Sequence, residues 1–455
     1  MSKKKSGGKV IASGGFGCVF RPALKCKGQT TREKNKITKL MLKKYATEEY
    51  EDVVKFESTL KKIPNYQKYF LIDGFHLCTP SKLNEEDLER FKKECTALPK
   101  KDIDKDNINK SLDKLYALNM PDGGLPIDTF VDKSGSYSVV IHLNNSLIEL
   151  LLNGIIPMNQ YYIFHCDIKD SNLLVESSNN NSTTSSTTTS KLVTRLIDWG
   201  LSTYYIPFKN HDFPKSWKNR PFQFNTPFSV IIFSDKFIEK YSKFVESHQN
   251  NINEIVLKPF IVEFIYYWMK ERGSGHFKFI NSIMYKLFGN EKGLKNMSDS
   301  EKEYKTKVIE VQYTIPYITN YISKILLNFT RVKENGKVSF REYLDQVFIK
   351  IVDVYGFITS YYPLLQIYHE NYFILSTNEM KIFNKIKEIF LVYLYEPRIQ
   401  PIEIEKLVND LKSLNPLFEH EEKVKIKTMN VLTITLNKTK RNKSTSSSKT
   451  LKNKK

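Results

Sequence analysis

Along the first 45 residues the apolar positions come in short runs broken by glycine and lysine: Val10-Ile11, Val19-Phe20, then Ile37 to Leu42. Short runs bounded by turn residues predict β-strands. From 46 to 63 the period changes, with Val53, Phe56, Leu60 and Ile63 recurring at helical spacing until Pro64 closes the pattern, which predicts one helix. Segments 69–78 and 114–120 predict further strands on either side of a charged, helical excursion, and Asp122-Gly123-Gly124 predicts a turn. Beyond residue 137 the helical period dominates, over 137–163, 253–270, 277–288, 307–330, 340–368, 379–395 and 402–414. One tract has nothing to bury: residues 177–190 are Ser, Thr or Asn at all 14 positions, which predicts a solvated loop extending a hairpin. The pattern as a whole predicts an α+β chain, a small β-rich part with one main helix and then a larger, mostly α part.

Composition changes this picture little. With 40% hydrophobic and 13% aromatic residues in 455, the chain can bury a large core and is far from a disordered composition. The formal charge of +20 is uneven: Lys3, Lys4, Lys5 and Lys9 contribute four charges and residues 438–455 eight, with no acid. These ends predict basic tails that bind anionic partners weakly, and charge alone selects no function. Five cysteines without a CxxC spacing argue against a disulfide framework or a cysteine-rich zinc site, so a reducing, intracellular setting is expected. The N-terminus lacks an apolar core, and the greasy stretch 346–368 is interrupted by Lys350 and Asp353, so neither secretion nor a membrane span is expected.

Candidate chemistry concentrates in three segments. His165-Cys166-Asp167-Ile168-Lys169-Asp170-Ser171-Asn172 gathers two carboxylates, a lysine and an amide before an apolar strand. That set suits phosphoryl transfer, with a carboxylate to accept a hydroxyl proton, an amide oxygen for magnesium and a lysine to offset phosphate charge. Leu196-Ile197-Asp198-Trp199-Gly200 ends a strand just past the polar tract, so a hairpin would bring Asp198 beside Asn172 and face two hard oxygens toward one cation. Ala12-Ser13-Gly14-Gly15-Phe16-Gly17-Cys18-Val19 is a glycine-rich turn between strands, where backbone amides could approach phosphate, and Lys39 follows on the next strand.

The order glycine loop, strand lysine, helix, His-x-Asp-x-x-x-x-Asn, Asp-x-Gly resembles the protein kinase fold, well over 10–205 and loosely over 340–415. The resemblance implies a two-lobed α+β enzyme: a basic N-terminus at 1–9, an N-lobe and hinge over 10–124, a C-lobe over 125–425, and a basic tail at 438–455. Within the C-lobe it implies the loop 177–190 and a helical insertion at about 236–340. It also implies ATP and Mg2+ as cofactors. Ala12, Gly14, Gly15, Phe16, Gly17 and Val19 would cover ATP, and Lys39 would hold its phosphates with Glu49 as partner, Glu57 being the alternative. Backbone groups around Asn119 and Met120 would meet adenine, with Leu118 behind it. Asp167 would be the base, Lys169 would contact the transferred phosphate, and Asn172 and Asp198 would hold magnesium. His165 would be structural, as would Asp353 in Asp353-Val354-Tyr355-Gly356-Phe357, whose carboxylate would accept bonds from the catalytic-loop backbone; Asp235 is the other candidate for that place.

The departures are Ala12 for the first glycine, Cys166 for an arginine, Trp199 for phenylalanine, and Arg220-Pro221-Phe222 onward where Ala-Pro-Glu would stand. The Arg-Pro-Phe segment and Ile63-Pro64-Asn65-Tyr66 resemble divergent kinases of large DNA viruses, which implies a cytoplasmic or virus-associated setting. The expected function is serine/threonine protein kinase, with a protein substrate and no membrane. A pseudokinase scaffold is the alternative; a nucleic-acid-binding structural protein would leave the motif order unexplained.

Overall fold

The computed structural model describes residues 8–178, 191–210, 213–248, 251–288 and 298–427. The basic tails other than Gly8 and Lys9, and nearly all of the Ser/Thr/Asn tract, lie outside the described residues.

The short N-terminal runs form a five-stranded antiparallel sheet in the order β1-β2-β3-β5-β4. Its strands are β1 (Lys9–Ser13), β2 (Gly17–Arg21), β3 (Lys36–Leu42), β4 (His76–Cys78) and β5 (Leu115–Pro121). Alternation along β3 puts Thr38 and Leu40 on one face and Ile37, Lys39 and Met41 on the other, with Lys39 paired with Leu118 of β5. One face of the sheet closes over Val10, Phe20, Leu24, Leu40, Phe91, Leu98, Ile108 and Leu115. The helix α1 (Lys43–Leu60) follows β3 directly and buries Ala46 together with Val53, Phe56 and Leu60 of the stripe read from the sequence, whose last member, Ile63, is buried just beyond the helix end.

The segment before β4 is less regular than expected. Only His76–Cys78 pairs as a strand, while Leu71 donates to the carbonyl of Leu196 at 3.2 Å, which stitches the sheet region to the helical part. The charged excursion between β4 and β5 folds as one short helix, Phe91–Glu94, and a series of 3-10 turns. It carries a correction to the cysteine reading: Cys18 is disulfide-bonded to Cys95 and Cys26 to Cys78, and Cys166 alone of the five is free. Partners 77 and 52 residues apart are brought together by sheet topology, which spacing in the sequence cannot reveal. His76 also lies beside Cys26 and Cys78, but two sulfurs bonded to each other leave that trio no thiolate for a cation.

The remainder is mostly helical around one large apolar core. Tyr137–Gln160 runs as one helix through a π-turn at Leu151–Ile155; by length and mean hydropathy, 1.5, it could cross a membrane, and 56% of that window is buried in the protein. The stretch 340–368 divides into a helical run from Arg341 through a π-turn at Leu344–Phe348 to the helix Ile349–Thr359, and then the helix Tyr362–Glu370, with Pro363 in its first turn. Among the described residues between Asp235 and Phe329 stand five further α-helices, Asp235–Ser247, Glu254–Arg272, Phe277–Phe288, Asp299–Ile309 and Ile315–Phe329.

Candidate functional site

The site lies where the sheet meets the helical part, and its first element is the glycine turn between β1 and β2. Gly14 donates to the carbonyl of Gly17 at 2.9 Å, closing the turn. The hydroxyl of Ser13 accepts from the amides of Thr96 and Ala97 at 3.1 and 3.0 Å, and the Cys18–Cys95 disulfide adds a covalent tie, so the 79–114 excursion pins one side of the turn. The three glycines differ in purpose. A Cβ on Gly17 would stand 2.1 Å from Met41 Cγ and 2.6 Å from the Leu40 carbonyl, so β3 itself requires glycine there. Gly14 and Gly15 have open surroundings: a Cβ on Gly14 would meet Lys39 Cε at 3.6 Å, and one on Gly15 would meet nothing. Phe16, 57% exposed at the tip, stacks on Tyr45 of α1 at 4.6 Å, while Ala12 and Val19 face each other across the ladder.

Beneath the turn, Lys39 Nζ donates to Glu49 Oε2 at 2.5 Å, and Glu57 pairs instead with Lys61. Burial alone would push the Lys39 ammonium down, but Glu49 and then Asp198 hold it up, so it stays charged. Asp198 itself is exposed, with a left-handed backbone (φ 70°). Trp199 turns inward, 1% exposed, against Phe56 of α1, Phe70 and His165 at ring distances of 6.0, 5.8 and 5.1 Å. An aromatic packed on both α1 and the 165–172 loop holds the two halves of the site in register.

The 165–172 loop is built on a buried carboxylate. Asp353, 1% exposed in the helix Ile349–Thr359, accepts from the amides of His165 (2.9 Å) and Cys166 (2.8 Å) and from Asn159 Nδ2 (2.7 Å). Asp235, the other candidate, is exposed and bridges to Lys218 at 3.3 Å. The bond to Cys166 holds that residue at φ 61°, where few side chains rest without compensation. His165 is fully buried and neutral: burial pushes it down, Nε2 donates to the carbonyl of Ile197 at 3.0 Å, and Nδ1 accepts from the Asp167 amide at 3.3 Å.

Asp167 is 6% exposed, and both its oxygens are engaged. Oδ2 accepts from Lys169 Nζ at 2.8 Å and Asn172 Nδ2 at 3.1 Å; Oδ1 accepts from Asn225 Nδ2 at 2.9 Å, with Arg220 Nη2 at 3.5 Å. Burial raises this carboxyl, but Lys169, Arg220 and the hydrogen bonds from Lys169 and Asn225 together hold it below the ordinary aspartate range. Asn172 spends its amide hydrogens on the Asp167 carbonyl and carboxylate, so its amide oxygen faces away from them. Ile197 N donates to the Asn172 carbonyl at 3.0 Å, tying the strand end that carries Asp198 to this loop.

One expected contact is corrected. Asn119 sits in β5 between Thr38 of β3 and His76 of β4, so its backbone belongs to the sheet on both edges; its side chain is fully buried against Thr38 and His76. It cannot present backbone groups to a ligand. Met120 lies one residue beyond the last β4 pair, and the chain then crosses at Asp122–Gly124, held by Arg21 through Asp122 Oδ1 (2.6 Å) and the Gly124 carbonyl (2.9 Å). Sequence reading also missed Arg220 and Asn225 as partners of Asp167; the only signal was the unfamiliar Arg220-Pro221-Phe222 segment itself.

No family model and no curated protein matches this chain. Among solved structures it is similar to a Plasmodium kinase domain, at 14% identity over 71% of this chain and 93% of that one, with a TM-score of 0.28. The chain itself, a small antiparallel sheet followed by a mostly helical part, has a mixed α+β architecture.

Proposed function

We propose that this chain is an ATP-dependent protein kinase that transfers the γ-phosphoryl group to serine or threonine hydroxyls. One observation carries the reading: an ionised carboxylate, Asp167, on a loop pinned from beneath by Asp353, stands in one site with the Lys39–Glu49 ion pair and the exposed carboxylate of Asp198. The donor set fits a magnesium nucleotide, because Asn172 and Asp198 offer hard oxygens and the open surroundings of Gly14 and Gly15 leave room for phosphate beside Lys39. When bound, the metal would neutralise phosphate charge. This chain's residues do the rest: Lys39 holds the phosphates, Lys169 balances charge on the transferred group, and Asp167 orients the acceptor hydroxyl and takes its proton. The narrower likeness to kinases of large DNA viruses rests on 63–66 and 220–222 alone.

A scaffold that binds nucleotide without transfer is the second reading, favoured by the crowding of Asp167, both of whose oxygens already have donors. Incubation with labelled ATP, magnesium and a generic acceptor protein separates the two. Asp167→Asn should lower transfer by about 10²- to 10⁴-fold with nucleotide binding retained, and Asp198→Ala should weaken magnesium-dependent binding as well. No transfer by the parent would refute the enzyme reading, and equal measurable rates for Asp167→Asn and the parent would refute the role given to Asp167.

A further inference from the structure

The segment from Asn219 to Phe224 lies against the 165–172 loop, and the helices that follow grip it from the far side. Trp268 Nε1 donates to the Arg220 carbonyl at 3.0 Å, the His276 amide to the Phe222 carbonyl at 2.8 Å, and Arg272 to the Asn219 side chain. Phe222 packs edge-on against Phe277 at 5.7 Å and Phe224 against Phe279 at 4.7 Å. Gly275, at φ 52°, comes so close that a Cβ there would stand 2.4 Å from the Phe222 carbonyl oxygen. All these contacts come from Glu254–Arg272, Phe277–Phe288 and the turn between them.

What the gripped segment delivers is a guanidinium. Arg220 is 5% exposed, reaches Asp167 Oδ1 with Nη2 at 3.5 Å, and finds no partner for Nε and Nη1 among the described residues. A cation buried this deeply is costly unless carboxylates answer it, and those that do are Asp167 and, further off, Asp353. The same segment sends Asn225 Nδ2 to Asp167 Oδ1 and to the Ile168 carbonyl at 3.1 Å. Around Asp167 the remaining titratable groups are Lys169, His165 and Cys166 of its own loop, Asp353 beneath, Asp198 on the strand end and His276 from the clamp. Burial keeps the Cys166 thiol protonated; burial, then Lys169 and Arg220, hold His276 below the usual histidine range. Among the described residues, Lys169 and Arg220 are the cations that touch the Asp167 carboxylate, at 2.8 and 3.5 Å.

We infer that Arg220 is a positioning residue: clamped by helices 254–288, its guanidinium at Asp167 Oδ1 orients that carboxylate and holds the 219–226 segment in place without covalent modification of residues 201–219. The inference rests on the reading of Asp167 as proton acceptor. On that reading the helices after the segment supply from within the chain the ordering that an added phosphate would otherwise have to provide.

The test compares dephosphorylated full-length protein with Arg220→Gln, Arg220→Lys and Trp268→Phe. The readouts are kcat, the acceptor KM, ATP affinity, and hydrogen exchange of amides 219–226. Dephosphorylated parent should keep its full rate. Arg220→Gln should lose about 10- to 100-fold in kcat with the acceptor KM and ATP affinity within about twofold, because the carboxylate is misoriented while both substrates still bind. Arg220→Lys should restore most of that loss. Trp268→Phe should speed exchange over 219–226 and lower kcat less. A kcat unchanged in Arg220→Gln would overturn the inference, as would loss of most of the parent's rate on phosphatase treatment with recovery on rephosphorylation within 201–219. If the parent transfers no phosphoryl group at all, the proposed function falls, and exchange alone decides the clamp: protection unchanged in Trp268→Phe and Arg220→Gln would overturn it. Should Arg220→Gln fail to fold, Arg220→Lys and Trp268→Phe give the same decision.

Discussion

Replacing Asp353 by alanine removes the acceptor of three buried hydrogen bonds, from His165 N, Cys166 N and Asn159 Nδ2. Bonds to a charged acceptor contribute about 1.5–3 kcal/mol each, so the gross loss is roughly 4–9 kcal/mol. Removing the carboxylate also removes its desolvation cost, which offsets several kcal/mol. Two backbone amides stay buried without a partner, and Cys166, held at φ 61° by its bond, loses what keeps it there. The net cost should therefore lie near ~4 kcal/mol, the middle of the range for breaking a buried charged network. A chain of 455 residues need not unfold in one step, so the direct assay is hydrogen exchange at the His165 and Cys166 amides, where ~4 kcal/mol means about a thousandfold loss of protection. Asp353→Asn keeps one acceptor oxygen and should fall between. If Asp353→Ala left those amides protected and melted with the parent while Asp235→Ala was damaging, the account of how the loop is held would be wrong.

Other consequences follow from single sites. Asp170, half-buried, has its carboxyl pushed up to about 6 by burial and by Asp128. A raised folded-state pKa favours the folded chain at low pH and costs stability as pH rises from about 4 to 6. Asp170→Asn should therefore be about 1–2 kcal/mol more stable than the parent above about pH 7, after allowance for solvent screening, and equal to it below about pH 4, read from denaturant melts across pH. Oxidised protein unfolded without reductant should show one reactive thiol, from Cys166, since the other four cysteines form two disulfides; five would refute the pairing. Removing either disulfide as a Cys-to-Ser pair should cost about 4 kcal/mol, given closed loops of 77 and 52 residues, as seen in denaturant melts of the sheet region. Gly356→Ala would place a Cβ 2.6 Å from the Ile168 carbonyl and 3.3 Å from that of Asn225; it should cost about 2 kcal/mol by forcing the Ile349–Thr359 helix off the loop, and an unshifted melting temperature would refute the tight packing.

Local patterns carried the elements. The stripe Val53, Phe56, Leu60 is the buried face of α1 because a helix returns every third or fourth side chain to one side. Likewise the apolar runs at 253–270 and 277–288 are helices, and Asp353 ranks above Asp235 because it alone of the two has apolar neighbours on both sides. Glu49 could be proposed as the partner of Lys39 because the kinase resemblance calls for a helix carboxylate and Glu49 stands on the Val53–Phe56 stripe, Glu57 being the alternative; the structure pairs Lys39 with Glu49. What pattern could not carry is any contact whose partners are distant in the chain and have no periodic signature. The disulfide partner of Cys18 depends on where an irregular excursion packs. Asn119 lies in a segment that the pattern predicts as a strand, but nothing in the sequence reveals that β4 pairs with it there. Arg220 and Asn225 reach Asp167 only because helices further along the chain press their segment onto the loop. The sequence by itself determined most of the strands and helices, since these depend on neighbours within a few positions, and it singled out the candidate residues by type and order. Tertiary structure alone decided which distant groups meet Asp167 and which cysteines pair, because that depends on closing loops of about fifty residues or more against one core.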